Sequence, residues 1–268
     1  MDRPVTLATH EWPPAPTHAG ATDPGAAAPV SLLVHGITGW WRTWWRLGPA
    51  LAERGWRVIA VDLRGHGTSP PIDGAATAQR LAADIAATME ALGATRVDAL
   101  IGHSLGAAVA MELLHRRPET ALRAVLEDPP GQTRADDVEF QANLEREVLA
   151  ARRDPEAEFA RELAENPAWL PEDARQDVDG RAMCDLDGIL ASLRSNTGVR
   201  TTELAPVLRV PALYLIADEE RSALGAARAP LIRSLPAEAE AVEVASGHTI
   251  HRDRFEAYVA EVVRWLEP

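Results

Sequence analysis

The chain contains no lysine: all 27 of its basic residues are arginine. That removes Schiff-base catalysis and a phosphate-loop lysine from consideration. It has one cysteine, Cys184, so no intramolecular disulfide can form, and a reducing compartment suits it. A lone thiol of this kind reads as a small packed hydrophobe rather than a nucleophile. No stretch approaches the roughly 18 apolar residues of a membrane span. The opening MDRPVTLATHEWPP lacks the apolar core of a secretory signal. Positive charge is also scarce, with 40 acidic residues giving a formal net charge of −13. Such a surface repels phosphate backbones and anionic lipid, so neither nucleic acid nor a membrane is an expected partner. The expectation is a soluble, cytoplasmic protein that meets a small molecule. No feature fixes an oligomeric state.

What is present is a core and a rhythm. A chain of 268 residues with 46% apolar content buries a sizeable interior, and α/β folds of this size often form one unit. Residues 1–28 are rich in Ala, Pro, Gly and His. They read as a partly flexible N-terminal segment with at most a short strand near PVTLATHEW. Then short apolar runs recur: PVSLLVHG (29–36), RVIAVDLRG (57–65), RVDALIGHS (96–104), LRAVLEDPP (122–130), PALYLIAD (211–218) and AEAVEVASG (239–247). Runs without alternation suit strands covered on both faces, as in a parallel sheet. Helical patterns lie between them. Leu81, Ile85, Met89 and Leu92 share one stripe, with Gly93 placed to end the helix. A last stripe runs from Phe255 to Leu266, and Asp253 with Glu256 resembles a capping box at its start. The alternation implies a mostly parallel sheet with helices on both faces.

Residues 131–205 break the rhythm. They hold no strand-like run, only acidic, arginine-rich helical stretches such as DDVEFQANLEREVLAARR and EAEFARELAEN. An interval this long exceeds a simple connection. It reads as a helical cap, inserted before the penultimate strand, over the carboxyl edge where open α/β sheets bind ligands. The plainer reading is a surface excursion that touches no site. On the first reading the core comprises residues 29–130 and 206–268.

The stretch GHSLG (102–106) sits where a strand gives way to a helix. A sharp turn there needs small residues flanking Ser104, and it exposes the hydroxyl beside a helix amino end. The free N–H groups at that end suit a developing oxyanion. G-x-S-x-G alone is a weak signal, and an ordinary tight turn is the competing explanation; strand before and helix after is the context the pattern requires.

Four motifs in order then resemble the α/β-hydrolase family: LLVHGITG its oxyanion loop, VIAVDLRGHGTS its next strand and loop, LIGHSLGAAVA its nucleophile elbow, and ASGHTIHRDRFEAYVAEVVRWL its histidine loop and closing helix. The resemblance implies Ser104 as nucleophile, His248 as its base, and the backbone N–H groups of Ile37 and Leu105 as the oxyanion hole. His251 is the alternative histidine, read as structural or pocket-lining. For the acid, Glu220 in the loop after PALYLIAD matches the usual position; Asp128 in LEDPP is the alternative, then Asp218. His35 reads as a brace for the oxyanion loop. Pocket candidates are His35, Gly36, Trp41, His103 and Trp169, with ordinary packing as the competing reading. Trp40, Trp41, Trp44 and Trp45 pack a helix or wall an apolar substrate group. No cofactor and no metal is called for. The expected activity is hydrolysis of a small ester, lactone or amide with an apolar portion, through an acyl-enzyme. C–C bond hydrolysis, lyase or other non-ester chemistry on the same triad, and a ligand-binding protein without turnover, are the alternatives.

Overall fold

The structure, a computed structural model, describes residues 3–15, 27–131, 137–195 and 199–267. Seven strands form one sheet: β1 (Thr9–Trp12), β2 (Val30–Val34), β3 (Arg57–Val61), β4 (Val97–His103), β5 (Ala121–Glu127), β6 (Ala212–Ile216) and β7 (Ala239–Glu243). Their order across the sheet is β1-β3-β2-β4-β5-β6-β7. β1 pairs antiparallel with β3 at one edge, and every other pairing is parallel. All six apolar runs became strands, and the N-terminal strand is the edge strand. Much of the linker expected after it lies outside the described residues.

The helices are α1 (Leu47–Ala52), α2 (Ala78–Ala91), α3 (Leu105–Arg116), α4 (Val138–Arg153), α5 (Pro155–Glu165), α6 (Pro171–Met183), α7 (Leu186–Arg194), α8 (Thr201–Leu204), α9 (Arg228–Ser234), α10 (Ile250–Asp253) and α11 (Phe255–Leu266). Because strand side chains alternate, Leu32, Val34, Ile59 and Val61 enter one apolar layer with residues of α2, α3 and α9. Leu33, Val58, Ala60 and Ile101 enter the other, with Trp44, α1 and α11. Burial on both faces explains the unbroken apolar runs. α2 begins on Thr77, whose side chain accepts from Arg80 N, and Gly93 follows its end with a φ of 70°. The expected capping box on α11 does not form: its N-cap is Arg254, without a side-chain bond, and Asp253 accepts from Gly247 N instead.

The strand order reverses between β2 and β4. The chain runs outward from β2 to β3, then returns to the other side of β2 to place β4. The carboxyl ends of those two strands therefore open into a crevice, the favoured ligand position in such sheets. Between β5 and β6 the chain makes its long helical insert, α4 to α7. Trp40 Nε1 donates to Gln176 O and Trp45 Nε1 to Asp173 Oδ1, fastening α6 to the segment after β2. Buried Arg252 pairs with Asp177 of α6 from the other side. No helix among the described residues is long and apolar enough to cross a membrane.

Candidate active site

β4 delivers Ser104 at its end and α3 starts on the next residue. The serine backbone is forced to φ 51°, ψ −119°, left-handed territory that a non-glycine residue holds only when its surroundings over-determine it. The flanking glycines are the reason it can. A Cβ on Gly106 would lie 2.1 Å from Val34 O, and one on Gly102 would lie 2.5 Å from Gly106 O. Thr38 (φ 61°) and Asp128 (φ 39°) are the other described non-glycine residues with positive φ. All three strained residues end a central strand or follow one closely, at the same edge of the sheet.

His248 follows β7, and its Nδ1 lies 2.6 Å from Asp128 Oδ2. A carboxylate only accepts, so Nδ1 carries the proton and Nε2 is left for other work. Asp128 is fully buried beyond β5 and takes three more donors: Ser222 Oγ at 2.6 Å, Ala223 N at 2.8 Å and Ala217 N at 3.2 Å. Glu220, the residue expected there, is exposed in the turn after β6, and so is Asp218. Among the described residues neither reaches the ring. Residues 218–220 are exposed beyond the end of β6, whereas the buried carboxylate of Asp128 (φ 39°) is held by Ala217 N, Ser222 Oγ and Ala223 N. The acid facing His248 is thus Asp128, and Glu220 is corrected.

Ser104 and His248 line one cavity of about 350 Å³, together with Ile37 and Leu105. Ser104 Oγ makes no hydrogen bond to the ring among the described residues; such contacts are commonly loose without substrate and tighten on binding. Neither Ile37 N–H nor Leu105 N–H donates to another protein group among those residues. The other walls are mainly apolar: Ile72, Leu81, Phe140, Ile189, Leu193 and Val199. Phe140, Ile189 and Leu193 come from the helical insert. Gly180 of α6 sits against the loop after β2 so closely that a Cβ there would lie 2.5 Å from Thr38 O.

None of the five pocket candidates is among the lining residues. His35 is fully buried; its Nε2 accepts from Leu63 N at 2.9 Å and Nδ1 donates to Gly36 O at 2.7 Å, so it braces the loop. Burial pushes its pKa down to about 4, and that of His66, which accepts from Thr38 N, to about 3. Gly36 packs on the His103 ring and the Ser104 Cβ. Trp41 stacks on His10 with ring centroids 3.7 Å apart. Trp169 donates to Asp253 under the guanidinium of Arg252. Trp44 lies in the core, so the tryptophan cluster packs the fold rather than the cavity.

A second carboxylate–imidazole pair lies behind the first. Glu127, adjacent to Asp128, is fully buried and accepts from His251 Nδ1 at 2.8 and 2.9 Å and from His251 N at 2.9 Å. The last residue of β5 and the residue after it thereby hold both ends of the His248–His251 loop. His103 Nδ1 is 3.6 Å from Glu127, and its ring centroid is 4.7 Å from that of His248. Burial and the neighbouring histidines keep His103 neutral, well below the usual range. His103, Glu127 and His251 are the described residues closest to a metal-binding grouping. The 2.8–2.9 Å separations of Glu127 and His251 are direct hydrogen bonds, whereas ligands about 2.1 Å from a tetrahedral ion stand more than 3 Å apart. Burial raises the Cys184 thiol pKa to about 11, which disfavours the nucleophilic thiolate.

A sequence model of the alpha/beta hydrolase fold matches residues 29–254. The chain belongs to the α/β-hydrolase family. Among characterised relatives it is 33% identical to epoxide hydrolase B of Mycobacterium tuberculosis over 105 residues, covering 38% of this chain and 29% of that one. It is 32% identical to lipase LipV of the same organism over 170 residues, covering 61% and 55%. These matches span less than two thirds of each relative's length. The crystal structure of the enol-lactonase from Burkholderia xenovorans superposes over 98% of this α/β hydrolase and 96% of that chain, with a TM-score of 0.75 and 22% identity. That likeness is one of fold.

Proposed function

We propose that this α/β hydrolase cleaves a carboxylic ester, lactone or amide through an acyl-enzyme on Ser104. The observation that carries the reading is the 2.6 Å contact of His248 Nδ1 with buried Asp128, on a ring that faces the Ser104 cavity. Ser104 Oγ attacks the carbonyl carbon as its proton passes to His248 Nε2. The resulting oxyanion takes hydrogen bonds from Ile37 N–H and Leu105 N–H. Collapse expels the alcohol or amine, which leaves with the Nε2 proton. Water then attacks the Ser104 ester with His248 again as base, freeing the acid and restoring the hydroxyl. Asp128 holds the ring tautomer and stabilises its cation. The helices of residues 131–205 act as a cap whose apolar residues, with the core walls, enclose the acyl portion. A cavity of about 350 Å³ lies at the small end of ligand pockets, which fits a compact substrate. A relative named as a lipase supports ester chemistry. The test is acid-quenched turnover of a para-nitrophenyl ester: a pre-steady-state burst with acyl mass on the peptide holding Ser104 supports the reading. Turnover undiminished in Ser104→Ala refutes it.

A further inference from the structure

We infer that the cavity is built for a substrate that carries a carboxylate as well as its scissile carbonyl, with Arg221 as the group that binds it. The inference rests on the Ser104 reading and names the substrate class of that site.

The cavity's charge is the reverse of the protein's. The chain has a net charge of −13, yet among the described residues no aspartate or glutamate lines the cavity, and two arginines do. Arg64 is already neutralised: buried Asp84 takes its Nε and Nη2 at 2.9 and 2.7 Å, and Asp73 takes Nη1 at 2.7 Å. Arg221 has no such partner among the described residues. Its closest acidic neighbours are committed or turned away. Asp253, beside the same glycine as the arginine stem, accepts from Gly247 N and Trp169 Nε1. Asp218, Glu219 and Glu220 are exposed and none lines the cavity.

The backbone that carries the arginine is also held at a fixed place relative to the chemistry. Its own N–H donates to Asp218 O, and the two residues after it, Ser222 and Ala223, both bond the Asp128 carboxylate. Its Cδ passes 3.9 Å from where a Cβ on Gly247 would sit, one residue before His248. The loop beside it is pinned to Asp128, and the exposed Arg221 side chain, without a protein partner among the described residues, is available to receive an anion at the histidine side of the cavity. A single planar fork matches a carboxylate bidentately. The remaining walls are largely apolar, so the implied ligand is an aliphatic or aromatic body with the reactive carbonyl near Ser104 and one carboxylate toward Arg221.

The experiment compares two esters of equal length, mono-para-nitrophenyl glutarate and para-nitrophenyl pentanoate, on the wild type and on Arg221→Met, Arg221→Lys and Arg221→Glu. The ratio of kcat/KM for the acid over the neutral ester is expected to fall about tenfold or more in Arg221→Met, the size of one charge-assisted contact. Arg221→Glu is expected to lower it further, and Arg221→Lys to keep part of it. An unchanged ratio, or parallel loss on both esters, overturns the inference. Calorimetric binding of glutaric monoanilide and pentananilide to Ser104→Ala gives the same comparison without turnover. If neither ester is cleaved but the anilide ratio depends on Arg221, the acyl-enzyme reading fails and the carboxylate site stands. If the anilide ratio ignores Arg221, the site fails.

Discussion

At the scale of single residues the site depends on which carboxylate stands behind His248. Asp128 does so with a 2.6 Å contact and no exposure, whereas Glu220 points to solvent. Asp128→Asn is expected to lower kcat by roughly 10³–10⁴-fold, because the amide favours the wrong imidazole tautomer. Glu220→Gln is expected to stay within about twofold on the ordinary tolerance of exposed sites; steady-state kinetics on one ester checks both. Ser104, His248, Ile37 and Leu105, singled out from the sequence, do line one cavity, since each lies within a few residues of a glycine-marked turn whose geometry is local. The acid was ambiguous because its choice depends on where two loops from different strands point. That is set by the backbone at Asp128 and by donors from Ala217, Ser222 and Ala223, about ninety residues away in sequence. The Glu127–His251 pair was hidden for the same reason.

At the scale of elements, two close approaches carry the architecture. The elbow requires α3 to start against β2, and Gly106→Val places a methyl-bearing carbon where Val34 O already is. Urea unfolding of that variant is expected to show a loss of at least about 3 kcal/mol, in the range of severe overpacking. Gly180→Val acts more locally, pushing α6 away from Thr38 and the oxyanion loop. The fold is expected to survive while kcat/KM falls about tenfold or more through misplaced N–H donors; circular dichroism and ester kinetics together check this. Strand and helix positions were legible because burial on both faces leaves unbroken apolar runs between punctuating glycines. The capping residue of α11 was not legible, because Asp253 has a stronger use on Gly247 and Trp169 than on its own helix. Nor were the roles of the tryptophans: Trp40 and Trp45 face outward from their turn to hold α6, which composition cannot reveal.

At the scale of the whole molecule, buried neutral histidines couple stability to pH. His35 and His66 titrate near 4 and 3 in the folded chain, against about 6.5 when unfolded. Between those values the unfolded chain binds more protons, so stability is complete above about pH 6.5 and falls as pH drops below it. Each site contributes a slope approaching about 1.4 kcal/mol per pH unit. Urea midpoints measured from pH 7 to 5.5, above the ordinary carboxylate range, are expected to decline, and His66→Gln to decline less steeply. In the proposed mechanism Ser104, His248 and Asp128 act as one relay. Its most direct test is the rate at which a fluorophosphonate modifies the protein, followed by intact mass and peptide mapping. One adduct, on Ser104, is expected, formed rapidly in the wild type and in Glu220→Gln, far more slowly in Asp128→Asn, and absent in Ser104→Ala. Labelling at another residue, or equal rates in wild type and Asp128→Asn, would contradict it.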